Sequence, residues 1–169
     1  MKRLILLRHA KAVPHDAAPD FDRALDARGE AEAADTGVYL KDEQLWPDLA
    51  LVSPALRTRQ TWALASQPLG SVDTVFDDAM YDADAEGLRA IVKARGGTQR
   101  TLLVCAHNPG IEDFATSSVG FGDRYAYARM KDHFAPAALA VLDFDIEDWH
   151  DIQPNMARLD RFCLPMPGR

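Results

Sequence analysis

At 169 residues, 47% hydrophobic and 27% charged, the chain is long enough to bury its own core as one domain over residues 1–169 without disulfide staples. Its net charge of −7 is opposite to the basic footprint of a general nucleic-acid binder, so no nucleic-acid partner is expected. No apolar run approaches the ~20 residues of a membrane span, the N-terminal run breaks at Arg8, and the two cysteines form no CxxC pair; a cytoplasmic protein with no membrane contact and no redox or zinc motif is expected.

The elements follow in order. Leu4–Leu7 is a short, continuous apolar run of the kind a strand covered on both faces requires. The proline- and aspartate-rich PHDAAPDFDR is a loop. Asp26 to about Asp42 is alanine- and charge-rich, and Ala31, Ala34 and Val38 recur there at helical spacing. Leu49–Val52 is a second strand. Ser53-Pro54 reads as an N-cap followed by proline at the first helical position, opening the helix SPALRTRQTWALA. Val72–Phe76 is a third strand, and Glu86–Ala94 a helix with Leu88, Ile91 and Val92 on one face. Thr101–Ala106 (TLLVCA) is the strongest strand signal. His107-Asn108-Pro109-Gly110 interrupts it, and a helix resumes over Ile111–Ser118. Ala137–Phe144 and Trp149–Ile152 are expected as closing strands joined by the acidic turn DFDIED. This alternation predicts an α/β fold: one domain, with a mostly parallel mixed sheet flanked by helices on both faces.

Polar residues gather at three strand ends. Arg8 and His9 follow the first run, Ser53 and Arg57 the second, and His107 and Asn108 follow TLLVCA. Open α/β sheets bind ligands beyond the carboxyl ends of their strands. If these strands are parallel neighbours, two arginines and two histidines meet in one place and form an oxyanion pocket, for guanidinium groups suit phosphate oxygens. Arg57 near a helix N-terminus adds to this. Taken singly, each piece has a plain structural explanation: a surface Arg-His pair, a helix start, a core histidine, a turn. Their shared position at strand ends is what points to a site.

With LLRHAKA, DRALDARGEAEAADTGVYL, LALVSPALRTRQTWALA and TLLVCAHNPGIEDFA in this order, the sequence resembles the histidine phosphatase superfamily, in its short SixA-like branch of phosphohistidine phosphatases. Ala10 stands where the RHG signature has glycine. The resemblance implies a phosphoglycerate mutase-like sheet fold and a metal-independent phosphatase without cofactor. By the same resemblance His9 is the nucleophile that becomes phosphorylated, and Arg8, Arg57 and His107 hold the phosphoryl oxygens, with Asn108 beside them at the substrate. For the family's proton donor, VFDDAMYDADAEG supplies Asp77, Asp78, Asp82, Asp84 and Glu86, of which Asp78, three residues before Tyr81, best fits. Lys11 receives no role.

The chain is too short for the insertions that enclose sugar phosphates in larger relatives, so an open site is expected. A phosphohistidine-containing protein is the first expected substrate, a small phosphomonoester the second. A non-catalytic phospho-binding module is a third reading, against which His9 speaks. A metalloenzyme is disfavoured because no HxH or HExxH motif is present. His15, His133 and His150 are expected on the surface or in packing. Nothing in the pattern calls for an oligomer, so a monomer is expected.

Overall fold

A computed structural model describes residues 1–165. Its elements in chain order are β1 (Lys2–Arg8), α1 (Ala27–Asp42), β2 (Leu49–Val52), α2 (Leu56–Ser66), β3 (Asp73–Phe76), α3 (Ala85–Arg95), β4 (Thr101–Ala106), α4 (Gly110–Ser118), β5 (Val119–Gly122), α5 (Arg124–Asp132), β6 (Leu139–Phe144) and β7 (Ala157–Cys163). The seven strands form one sheet in the order β3-β2-β4-β1-β6-β7-β5. β3, β2, β4 and β1 are mutually parallel, β6 runs antiparallel to β1 and β7, and β5 lies parallel to β7. The sheet is therefore mixed and mostly parallel, as the alternation of strands and helices requires.

Both faces are covered, and the strand sequences show why. Leu4, Leu6, Leu102 and Val104 point to a core completed by α3, α4 and α5 through residues such as Leu88, Phe114 and Met130. Ile5, Leu7, Leu103 and Cys105 point to the opposite core, completed by Leu40 of α1 and Trp62 and Ala65 of α2. Side chains alternate across a strand, so central strands buried on both sides must be apolar at every position. Among the described residues no helix is long and apolar enough to cross a membrane.

Two expectations are corrected. The segment Trp149–Asp151 is a single 3-10 turn, not a strand. Trp149 is fully buried there, and its indole Nε1 donates to the Gln99 carbonyl at 2.7 Å. The closing strand is β7 instead. A bulge against β6 between Val141 and Leu142 places buried Leu159 and Phe162 three residues apart, which hides the period-2 pattern. The buried face of α1 is Gly29, Glu32, Ala33, Thr36, Gly37 and Leu40, while Ala31 and Val38 are exposed. The helix turns its small residues inward: a Cβ on Gly37 would lie 2.4 Å from the Ala65 carbonyl oxygen of α2.

Gly29 makes an equally close approach beside the strand ends. It lies in the first turn of α1, whose N-cap is Asp26; the Asp26 side chain accepts from the Gly29 amide at 2.8 Å. The Asp26 amide in turn donates to the Lys11 carbonyl at 3.0 Å. A Cβ on Gly29 would stand 2.0 Å from that same oxygen. Gly29→Ala must therefore move backbone. It is expected to cost about 2 kcal/mol and to lower the melting temperature by roughly 4–8 °C in a thermal denaturation measurement.

Candidate active site

β2, β4 and β1 are parallel neighbours, and their registers bring their ends to one level. Arg8 pairs with Ala106 and Val52 with Cys105. The ladder runs one residue further on each side: the His9 amide donates to the Ala106 carbonyl at 3.1 Å, and the Ser53 amide to that of Cys105 at 3.0 Å. Arg8, His9, Arg57, His107 and Asn108 consequently line one open cavity of about 440 Å³. The rings of His9 and His107 lie 5.3 Å apart.

His9 is buried, and its Nδ1 lies 2.8 Å from the Ala10 carbonyl oxygen. A carbonyl can only accept, so Nδ1 carries the proton and Nε2 keeps its lone pair. Burial pushes the His9 imidazole down to about 3, with a smaller contribution from the neighbouring His107, Arg8 and Arg57. The same causes, burial first and then Arg57, push His107 down to about 4. Both rings are therefore neutral at pH 7. The unfolded chain takes up protons on such imidazoles near pH 6.5, and the folded one does not until pH 3–4. Their contribution to stability is complete above pH 6.5 and is lost as pH falls towards the folded values. The melting temperature is expected to drop between pH 7 and pH 5. A His9→Asn variant should show a smaller drop over the same scan.

The segment SPALRTRQT holds the site together residue by residue. Ser53 does not cap α2, which starts at Leu56 with no side-chain cap; its fully buried hydroxyl lies 2.7 Å from His107 Nε2 and fixes that ring. Thr58 closes the turn by donating to the Ser53 and Ala55 carbonyls at 2.7 and 2.8 Å. Gln60 accepts from the Leu25 amide at 2.8 Å. Thr61 accepts from the Ala10 amide at 2.9 Å and donates to the Arg57 carbonyl at 2.7 Å, tying the turn after β1 to the helix that carries Arg57. Arg8 and Asn108 both donate to the Phe134 carbonyl, at 2.9 and 3.0 Å.

Asp78 is not in this group. It is exposed in a 3-10 turn over Asp78–Met80, which buries Met80 and leaves the Asp78 side chain outside the cavity lining. Tyr81 and Asp82, the residues that follow, do line the cavity. Asp20 and Arg23 also enter it, from the segment read only as a loop. Asp20 is held below the ordinary carboxylate range, at about 2, chiefly by the Tyr81 hydroxyl and also by Arg57 and Arg23. Spacing carries no signal for Asp20, because its partners Arg57 and Tyr81 are distant in sequence. Lys11 is exposed at the rim, and its structural part is played by its carbonyl, against Asp26 and Gly29. Among the described residues no group of three or more His, Cys, Asp or Glu side chains is arranged to hold a metal ion.

The α/β sheet brings half-buried Arg8, buried Arg57 and two neutral histidines together at adjacent parallel strand ends, an arrangement whose chemistry suits an oxyanion. The model of the histidine phosphatase superfamily (branch 1) matches residues 4–94, a span that includes Arg8, His9 and Arg57, and the chain belongs to that superfamily. Within it, the chain is SixA-like. It is similar to the crystal structure of a protein assigned as phosphohistidine phosphatase SixA from Agrobacterium tumefaciens, at 33% identity over 97% of this chain and 98% of that one, with a TM-score of 0.80. A protein with the same assignment from Nakamurella multipartitia is 28% identical over 97% of this chain and 96% of its own, with a TM-score of 0.86. An uncharacterized protein of Mycobacterium tuberculosis is 30% identical over 161 residues, 94% of this chain and 99% of the relative.

Proposed function

We propose that the protein is a phosphatase that removes the phosphoryl group from phosphohistidine in a protein, through a phosphohistidine intermediate on its own His9. The observation that carries this reading is the buried, neutral imidazole whose Nδ1–H is spent on the Ala10 carbonyl, next to Arg8, Arg57 and His107. The Nε2 lone pair attacks phosphorus, and the bond to the leaving nitrogen breaks with its electron pair going to that nitrogen. Arg8, Arg57 and His107 stabilise the charge spread over the equatorial oxygens. On phosphorylation His9 becomes cationic, and the Ala10 carbonyl is placed to accept from the ring at that moment. Water then attacks the phosphohistidine, releasing inorganic phosphate and restoring Nε2.

Asp82, which lines the cavity together with Asp20, takes the part of proton donor to the leaving group in place of Asp78. Asp20, both of whose carboxylate oxygens are engaged by Tyr81 and two arginines, is unsuited to it. The open cavity supports a substrate presented on a protein. So does the aromatic pair beside it, where Phe21 meets Tyr81 edge to face at 5.0 Å and Tyr81 stands 5.8 Å from His107; a planar imidazole leaving group can pack there. The reading takes residues 1–169 as one domain of a cytoplasmic monomer.

The test compares kcat/KM for a phosphohistidine-containing protein, an aryl phosphate and a set of sugar phosphates, each with and without a chelator. The phosphohistidine protein is expected to be preferred, with activity unchanged by chelation. Preference for a sugar phosphate would turn the assignment to a small-molecule phosphomonoesterase. Activity lost to the chelator and restored by metal would overturn the mechanism.

A further inference from the structure

Arg57 does not present a free guanidinium. Its Nη1 donates to the Asp20 main-chain carbonyl at 2.7 Å, and its Nη2 to Asp20 Oδ2 at 3.2 Å, so one residue engages both terminal nitrogens. Asp20 is held by others as well. Its Oδ1 accepts from Arg23 Nε at 3.1 Å, and its Oδ2 accepts from the Tyr81 hydroxyl. Arg23 is itself buried and anchored by donating to the Val13 carbonyl at 2.9 Å. The Asp20 side chain, by contrast, is 47% exposed, on the solvent side of two buried arginines.

A carboxylate carries the same charge sign and the same paired acceptors as two oxygens of a phosphoryl group, and an arginine fork accepts either. We infer that Asp20 is an internal competitor for Arg57: in the free protein its carboxylate holds Nη2 and its main-chain carbonyl holds Nη1, and the carboxylate must yield when a phosphoryl group binds. This rests on the reading that Arg57 holds the phosphoryl group. The exchange leaves no buried charge unpaired. Arg57 passes from one anion to another, while Asp20 keeps Arg23 on Oδ1 and Tyr81 on Oδ2. The device is selective by charge. A dianionic phosphoryl group displaces the carboxylate more readily than a monoanion does, and the nearby negative charge weakens retention of the product phosphate.

The experiment measures inorganic phosphate binding by calorimetry and phosphate inhibition of aryl phosphate turnover, in the wild type, Asp20→Asn and Arg57→Gln. Asp20→Asn is expected to bind phosphate about tenfold tighter, to be inhibited at correspondingly lower phosphate, and to lower KM without raising kcat. Loss of a merely structural contact would weaken phosphate binding, so unchanged or weaker binding by Asp20→Asn overturns the inference. Arg57→Gln is expected to lose phosphate binding; if it binds as tightly as the wild type, the phosphatase reading of this site falls too. Should Asp20→Asn fail to fold, carbon NMR of the Asp20 carboxyl group in the wild type replaces it. That signal is expected to shift as phosphate saturates the site, and an unmoved signal overturns the inference.

Discussion

Replacing His9 with alanine is expected to abolish turnover and to abolish covalent labelling by phosphoryl donors. The structure leaves little room for a substitute nucleophile at the end of β1. His107 is neutral as well, but its Nε2 is spent on the Ser53 hydroxyl at 2.7 Å, and its one unpartnered nitrogen, the buried Nδ1, is the one the proposed mechanism gives to the phosphoryl oxygens. The oxyanion partners would remain in His9→Ala, and phosphate binding should survive within a few-fold. Loss of chemistry with retained binding separates a missing nucleophile from a collapsed site. The check is mass spectrometry of protein quenched under alkaline conditions, which preserve an acid-labile phosphoenzyme, beside phosphate calorimetry. A phosphoenzyme still forming in His9→Ala would remove the nucleophile from this position.

The second large effect concerns the proton donor, and it depends on the leaving group. Asp82→Asn is expected to lower kcat for an alkyl phosphate by roughly 10²–10⁴-fold, the usual contribution of a positioned acid. An aryl phosphate or a phosphohistidine has a better leaving group and should lose tenfold or less. Asp78→Asn, at an exposed position outside the cavity lining, should change neither substrate by more than about twofold. Equal losses on all substrates in Asp82→Asn would mark a structural contribution, and a leaving-group-dependent loss in Asp78→Asn would return the role to that residue. These variants test more than the acid. If neither carboxylate matters even for alkyl phosphates, the site is one that relies on leaving groups needing no protonation by the protein, which strengthens the case for phosphohistidine.

The parts of this fold that local pattern reveals are those in which one physical cause dominates. β1, β2 and β4 are buried on both faces, so unbroken apolar runs mark them, and β2 and β4 begin and end where the pattern says. α3 carries Leu88, Ile91 and Val92 on one buried face and is equally plain. Where causes mix, pattern misleads. β5 is a four-residue VGFG strand with three exposed positions, and α5 buries only Ala126 and Met130 among charged neighbours; neither announces itself. The inward face of α1 is built from glycine, threonine and an ion-paired glutamate, because close helix contact demands small residues more than apolar ones. Ser53 reads as a cap because serine before proline commonly is one, and only the neighbouring strand end, with His107, claims its hydroxyl.

From the amino-acid order alone come the α/β class, the resemblance to the family through its motifs, and the placing of Arg8-His9, Arg57 and His107-Asn108 after three strands whose apolar runs are visible by themselves. Only the tertiary structure decided that β2, β4 and β1 are adjacent and in register, that His9 is neutral, and that the carboxylates at the mouth are Asp20 and Asp82. Adjacency is a property of strand order, and a pKa is a property of burial and neighbouring charge; neither is local. Asp20 shows the difference most plainly. In the sequence it is one aspartate in a loop, and in the folded protein it sits on the guanidinium of Arg57, 37 residues away.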